Sequence, residues 1–274
     1  MNLLARELRG AYAFVERNIN LIKRYWGWEL VWLIYSLVNS LAVTYIGAGM
    51  ERISGQRLDT QYLITYLLVG TLIWSYLSVI FYSISEMIAW ERWEGTIEYT
   101  FMAPVSRLTH LVGTTLFAIG YGMLRTLIIL AVVAGFFHLN LSHANIPGAV
   151  LLLLAGSVSF VGLGILAAVL PLLYPERGAQ MTNAAAAILL LVSGVYYPVA
   201  TLPGWLQKIA SASPATYVIE GMRECLLHGK GTVKLLPTVF TLIGIGIAVI
   251  ALGLAVFRFV ERYAKRTGRL KRSG

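Results

Sequence analysis

Charged side chains make up only 13% of this 274-residue chain, so a place where they crowd together is informative. Between Glu86 and Arg107 stand four carboxylates (Glu86, Glu91, Glu94, Glu98), two guanidinium groups (Arg92, Arg107) and Pro104. No Ser-His-Asp set and no catalytic carboxylate pair stands out, here or elsewhere, and two isolated histidines, His138 and His143, do not make a metal site. The chemistry on offer is electrostatic recognition. Glu91, Glu94 and Glu98 recur at helical spacing and share one face; Trp90, Trp93, Ile97 and Phe101 share another. Gly95 lets a second backbone come close, Pro104 stops the helix, and Ser106 is placed to cap whatever follows. The expectation is a short amphipathic helix, its aromatic side toward the membrane and its acidic side toward water. Two readings stay open: a solvated connector with Trp anchors, or a docking helix whose carboxylates meet basic groups of a partner.

The segments around this island settle the class. The chain is 58% hydrophobic, and average soluble chains carry about 25% charged residues. Apolar runs longer than ~18 residues mark an integral membrane protein. Six spans are expected: 30–50, 61–85, 108–137, 147–173, 178–195 and 235–257. Strands of a membrane barrel are excluded, because those alternate and are about ten residues long. Before the first span, residues 1–27 place Leu4, Leu8, Ala11, Val15, Ile19 and Ile22 on one stripe. Arg6, Arg9, Arg17, Lys23 and Arg24 fall largely off it. Such a helix either lies in the headgroup layer or packs on protein.

Orientation follows from the basic residues. With the amino terminus inside, the inner segments hold fifteen Lys and Arg and the outer ones six, so both termini are expected in the cytosol, the last with a basic tail over 258–274. The net charge of +9 is then a membrane topology signal rather than one of nucleic-acid binding. The island at 86–107 falls on the cytosolic side. Arg125 is the one charge well inside a span; it either snorkels or faces a polar partner, including an anionic lipid-like substrate. The single cysteine, Cys225, can form no internal disulfide. Residues 196–233 begin with Tyr196, Tyr197 and Pro198 and are broken again at Pro203. Together with the apolar Trp205, Leu206 and Ile209 this suits a re-entrant outer segment acting as a lid.

Glu94-Gly95-Thr96-Ile97-Glu98 followed by Ala103-Pro104-Val105-Ser106-Arg107 resembles the signature of bacterial ABC type-2 exporter permeases. Ser193-Gly194-Val195-Tyr196-Tyr197-Pro198, Leu202-Pro203-Gly204-Trp205 and Glu220-Gly221-Met222-Arg223 resemble that family's pattern after the fifth span, although Ser213 stands before Pro214 where relatives often have Asn. The resemblance implies an all-α membrane permease that works as a dimer, a homodimer or a pair with a close paralogue, in the plasma membrane. Two cytosolic ABC ATPase subunits would dock on a coupling helix containing Glu91, Glu94, Gly95, Thr96, Glu98 and Pro104. A path between the first and fifth spans would be gated near Tyr196, Tyr197, Pro198 and Arg125. The chain has no G-x-x-x-x-G-K-(S/T) loop, so ATP and Mg are expected on the partner subunit, no cofactor on this chain, and no enzymatic activity of its own. The substrate implied is hydrophobic or amphipathic, such as a drug, an antibiotic or a lipid. Export of a polysaccharide or lipid-linked glycan is the alternative; a channel or a membrane enzyme fits less well.

Overall fold

A computed structural model describes residues 3–55, 57, 59–102, 105–137, 144–174 and 176–266. The order of elements is α1 (Leu3–Arg24), α2 (Trp26–Ser54), α3 (Thr60–Ser85), α4 (Met87–Trp93), α5 (Ile97–Met102), α6 (Arg107–Phe137), α7 (Ile146–Ala167), α8 (Val169–Leu173) and α9 (Gly178–Val192). A 3-10 turn at Val199–Thr201, α10 (Gly204–Ala210), α11 (Pro214–Leu226) and α12 (Thr232–Arg266) complete it. There is no strand among the described residues.

Five helical stretches of 26 to 35 residues are long and apolar enough to cross a bilayer: α2, α3, α6, α7 with α8, and α12. This is a multi-pass membrane architecture. The expected fifth span is different. α9 has 15 residues, about 22 Å at 1.5 Å per residue, short of a ~30 Å hydrocarbon core. It ends because Gly194 takes a left-handed φ of 67°, a conformation that glycine adopts without a Cβ penalty. The basic tail also begins later than its composition suggests, since α12 continues through Arg266.

The core is built on close backbone approach. α7 and α12 lie so near each other that a Cβ on Gly162 would come 2.8 Å from the Ile250 nitrogen, and one on Gly246 2.9 Å from that of Ser159. Ser159 Oγ donates to the Leu242 carbonyl at 2.7 Å across the same seam. Small residues at a helix seam give van der Waals contact and interhelical hydrogen bonds, which hold helices together where burial from water supplies no driving force. α3 closes the other side: Tyr76 is fully buried and its hydroxyl lies 2.7 Å from Ser157 Oγ. By contrast α2 and α9 leave most of their surface uncovered, with Val31, Trp32, Ile34, Tyr35, Val38, Ile188 and Leu191 all exposed.

α1 packs along the first turns of α6. Ala11 is buried, and a Cβ on Gly113 would meet the Phe14 Cβ at 2.6 Å. The amphipathic stripe is therefore divided: its Ala11 part covers protein, whereas Leu8 and Ile19, with the neighbouring Tyr12, remain exposed.

Candidate functional site

The island after α3 is two short helices, not one. Gly95 has a φ of 71°, so α4 stops at Trp93 and α5 restarts at Ile97 in a new phase. Thr96 N closes the break by donating to the Glu91 carbonyl at 2.8 Å. The single continuous face of Trp90, Trp93, Ile97 and Phe101 expected from periodicity is therefore interrupted. Pro104, and the side chains of Glu98, Ile97 and Phe101, lie outside the described residues.

The described carboxylates of the acidic face are engaged by the protein itself. Glu91 is buried, and its Oε1 accepts from Arg17 Nη1 at 2.9 Å, with His110 Nε2 3.3 Å away. His110 is itself stacked on Phe14, ring centroids 4.2 Å apart. Glu94 Oε1 accepts from the Tyr25 hydroxyl at 2.8 Å, and Arg24 lies 3.9 Å from its other oxygen. The Tyr25 phenol is pushed above its ordinary range, first by this hydrogen bond and then by burial. Arg92 is buried as well; its Nη2 donates to the Leu172 carbonyl at 3.2 Å, and burial draws its pKa below the usual arginine value. Burial likewise raises the Glu86 carboxyl. Glu91, Arg92 and Glu94 thus tie the island to α1, α6 and α8, while Trp90, Trp93, Tyr99 and Met102 are left exposed. The physical reason is that a carboxylate finds a fixed guanidinium at the join of three helices, and a charge-assisted hydrogen bond there is stronger than one with water.

The join continues into α6. Ser106 Oγ accepts from Thr109 N at 3.1 Å, the N-cap expected of it, and donates at 3.1 Å to Glu7 of α1. Glu7 also accepts from the Thr109 hydroxyl. These bonds, Thr109 first and Ser106 second, hold the Glu7 carboxyl below its ordinary value.

At the other break, Arg223 of α11 does the anchoring. Its Nη1 donates to the Gly194 carbonyl at 2.8 Å and its Nη2 to that of Val195 at 2.7 Å. Its guanidinium lies 3.4 Å from the centroid of the Tyr66 ring. The carbonyls of the turn that follows α9 are thereby satisfied by a distant side chain, as buried non-helical backbone requires. Gly70 of α3 makes room for this: a Cβ there would overlap the Val195 carbonyl oxygen and come 2.7 Å from Arg223 Nη2. Tyr196 bonds toward Asn39 of α2, Tyr197 donates to the Leu191 carbonyl at 2.6 Å, and Pro198 is exposed.

Arg125 finds its partners on α2. It donates to the Trp32 carbonyl at 2.7 Å and to Ser36 Oγ, and one turn away Tyr121 donates to Glu29. Sequence reasoning did not reach this network, because Glu29 stands just before the first apolar run. Arg17, His110 and Gly70 were missed too. Nothing local marks them, since their partners are distant in the chain. Arg223 was visible only as the last residue of a short motif.

No curated protein matches the chain. A family profile described as ABC-2 type transporter matches residues 10–227. That stretch runs from α1 through α11 and takes in both polar breaks. With most of the chain matched and its helices long enough to cross a bilayer, the chain belongs to the ABC-2 type transporter family, as a membrane-embedded permease subunit of an ABC transporter.

Proposed function

We propose that this permease exports a hydrophobic or amphipathic substrate, driven by a separate cytosolic ATPase that docks on residues 87–102. The observation that carries the reading is the contrast within that segment. Glu91, Arg92 and Glu94 are engaged by the permease itself, whereas Trp90, Trp93, Tyr99 and Met102 stand exposed beside them. Exposed aromatic and Met side chains next to a firmly held backbone are what a docking surface offers. The coupling role thus passes from free carboxylates to the segment as a unit. Glu91 and Glu94 fasten it to α1 and α6, Gly95 and Thr96 shape its break, and the large apolar side chains meet the motor.

Two copies of the permease face each other through α2 and α9, whose Val31, Trp32, Ile34, Tyr35, Val38, Ile188 and Leu191 stand exposed, and the path runs between them. Arg125 then fixes α2 on α6 at the wall of that path, with Tyr196, Tyr197 and Pro198 at its outer end. ATP and Mg act on the partner. Closing of the ATPase pair draws the two docking segments together and rocks the helices they are tied to. Both termini lie in the cytosol in this arrangement, in the plasma membrane.

The test is co-purification with an ATPase encoded by a neighbouring gene. The triple variant Trp93→Ala, Tyr99→Ala, Met102→Ala is expected to lose the ATPase while remaining a dimer of unchanged thermal stability. Undiminished co-purification would remove the docking assignment. A cysteine at Thr96 that reacted only from the cell exterior would invert the topology and remove it as well.

A further inference from the structure

A cavity of about 460 Å³ opens between the first turns of α3, the second half of α11, the start of α12 and the Pro198–Ala200 stretch. That size suits a small molecule. Its wall carries an unusual pairing of groups. Tyr62, Tyr66 and His228 form an aromatic row, with Tyr62 6.0 Å from Tyr66 and 6.4 Å from His228 between ring centroids. Tyr217 adds a further ring, and Pro198, Val199 and Leu235 add apolar surface.

The charges in the wall are not equivalent. Arg223 is only 7% exposed; its Nη1 and Nη2 donate to the Gly194 and Val195 carbonyls, and its unpartnered Nε is buried, so an incoming anion finds no accessible donor there. Lys230 is 3.3 Å from Glu224 and largely cancels it. Glu220 is exposed to the cavity; the Arg223 guanidinium acts on it at a distance, but among the described residues no cation lies within ion-pairing distance of it. A ligand entering the cavity therefore meets one open carboxylate beside tyrosine faces and apolar walls.

We propose that this cavity binds an organic ammonium ion carrying an apolar body, with Glu220 as counter-charge and Tyr62 and Tyr66 as the aromatic faces. A cation over a tyrosine face is attracted by the ring quadrupole, and a nearby carboxylate adds direct Coulomb attraction. The apolar body lies against Pro198, Val199 and Leu235. As a station for cargo leaving the path, the cavity rests on the export reading above; as a binding site it is measured without transport. The ammonium group has two possible sources, a soluble amine or the headgroup of a lipid.

The experiment titrates phenyltrimethylammonium into the purified permease by calorimetry, with tert-butylbenzene as the neutral isostere. Saturable binding of the cation alone is expected, weakened about tenfold by Glu220→Gln, which removes the charge attraction. Tyr62→Leu is expected to weaken it as well. The exposed Phe259→Ala, near the other end of α12, serves as the distant control and leaves it unchanged. Equal affinity in wild type and Glu220→Gln, or no saturable binding, overturns the proposal. Competition by dihexanoyl-phosphatidylethanolamine assigns the ammonium to a lipid headgroup, and absence of competition assigns it to a soluble amine. Co-purification with the ATPase is expected to survive Glu220→Gln, so a failure here leaves the docking reading standing, and a failed docking test leaves this one standing.

Discussion

Two polar breaks interrupt the apolar bundle, and they are fastened by different balances of contacts. After α9 the chain is held by one buried guanidinium that donates to backbone carbonyls, with Tyr66 against it and Gly70 giving it room. After α3 the chain has one such bond, from Arg92 to the Leu172 carbonyl, but is held mainly by side chain to side chain pairs, Glu91 with Arg17 and Glu94 with Tyr25 and Arg24. Backbone carbonyls cannot rearrange without moving the chain itself. Paired side chains can exchange partners by turning about single bonds. The first kind of fastening suits a fixed point and the second a joint that transmits motion.

The largest effect should come from the fixed point. Arg223→Met leaves two carbonyls buried without donors and should cost on the order of 4 kcal/mol. The expected result is a permease that no longer purifies as a folded species in size-exclusion chromatography. Arg223→Lys should be partly rescued, because one ammonium can reach one carbonyl but cannot fork to two. If Arg223→Met melts like wild type, the outer break is not held by this residue and the comparison fails.

Gly70→Ala attacks the same point from α3 without touching a charge. The added methyl must push either the Val195 carbonyl or the guanidinium aside, and overpacking of this kind costs about 1–3 kcal/mol. A lowered melting temperature is expected. Gly49→Ala, where a methyl meets nothing within 4 Å, should show no such loss and isolates the close approach from any general effect of replacing glycine in a membrane helix.

At the joint, stability and function should part company. Arg17→Gln removes the guanidinium from Glu91 and leaves His110 3.3 Å from the carboxylate. Its thermal cost is expected to be smaller than that of Arg223→Met, with a coupling energy of about 1 kcal/mol in a double-mutant cycle with Glu91→Gln. Transport per ATP hydrolysed by the reconstituted complex should fall several-fold further than stability would explain. Equal losses of stability and coupling would make this break a second fixed point.

Much of this contrast was legible in the sequence, and the rest was hidden for definable reasons. Apolar runs of sufficient length marked α2, α3, α6, α7 and α12, and Ser106 was recognisable as a cap because its partner, Thr109, is three residues away. Gly194 and Pro198 announced a break, but not that α9 would stop short of a full crossing. Periodicity told which glutamates share a face; it carries no information on whether that face looks at water or at Arg17, 74 residues earlier. Beyond Gly95 even the shared face was lost, since one left-handed residue resets the helical phase. Arg125 could be seen to need a partner, but Trp32 and Ser36 offer a carbonyl and a hydroxyl, groups that no charge pattern reveals.

The smallest effect tests the outermost strand of the joint. Glu7 accepts from Ser106 and Thr109 at the cap of α6, and its carboxyl is held below the ordinary value by those bonds. A carboxyl whose folded pKa is lowered contributes stability above its unfolded value of 4.5, and that contribution is lost as pH falls through the lower, folded value. Acidification through this window should therefore loosen the amino-terminal half of α1 from α6. A cysteine placed at the buried Ala11 should become more reactive toward thiol reagents whose chemistry is itself insensitive to pH. Glu7→Gln should remove most of that pH dependence, because the amide does not titrate. The outer break offers the matching control: Arg223 stays charged throughout this range, so a cysteine introduced at Val195 should show no change in reactivity over the same pH interval. If both sites loosened together, the two breaks would be coupled through the bundle rather than fastened independently.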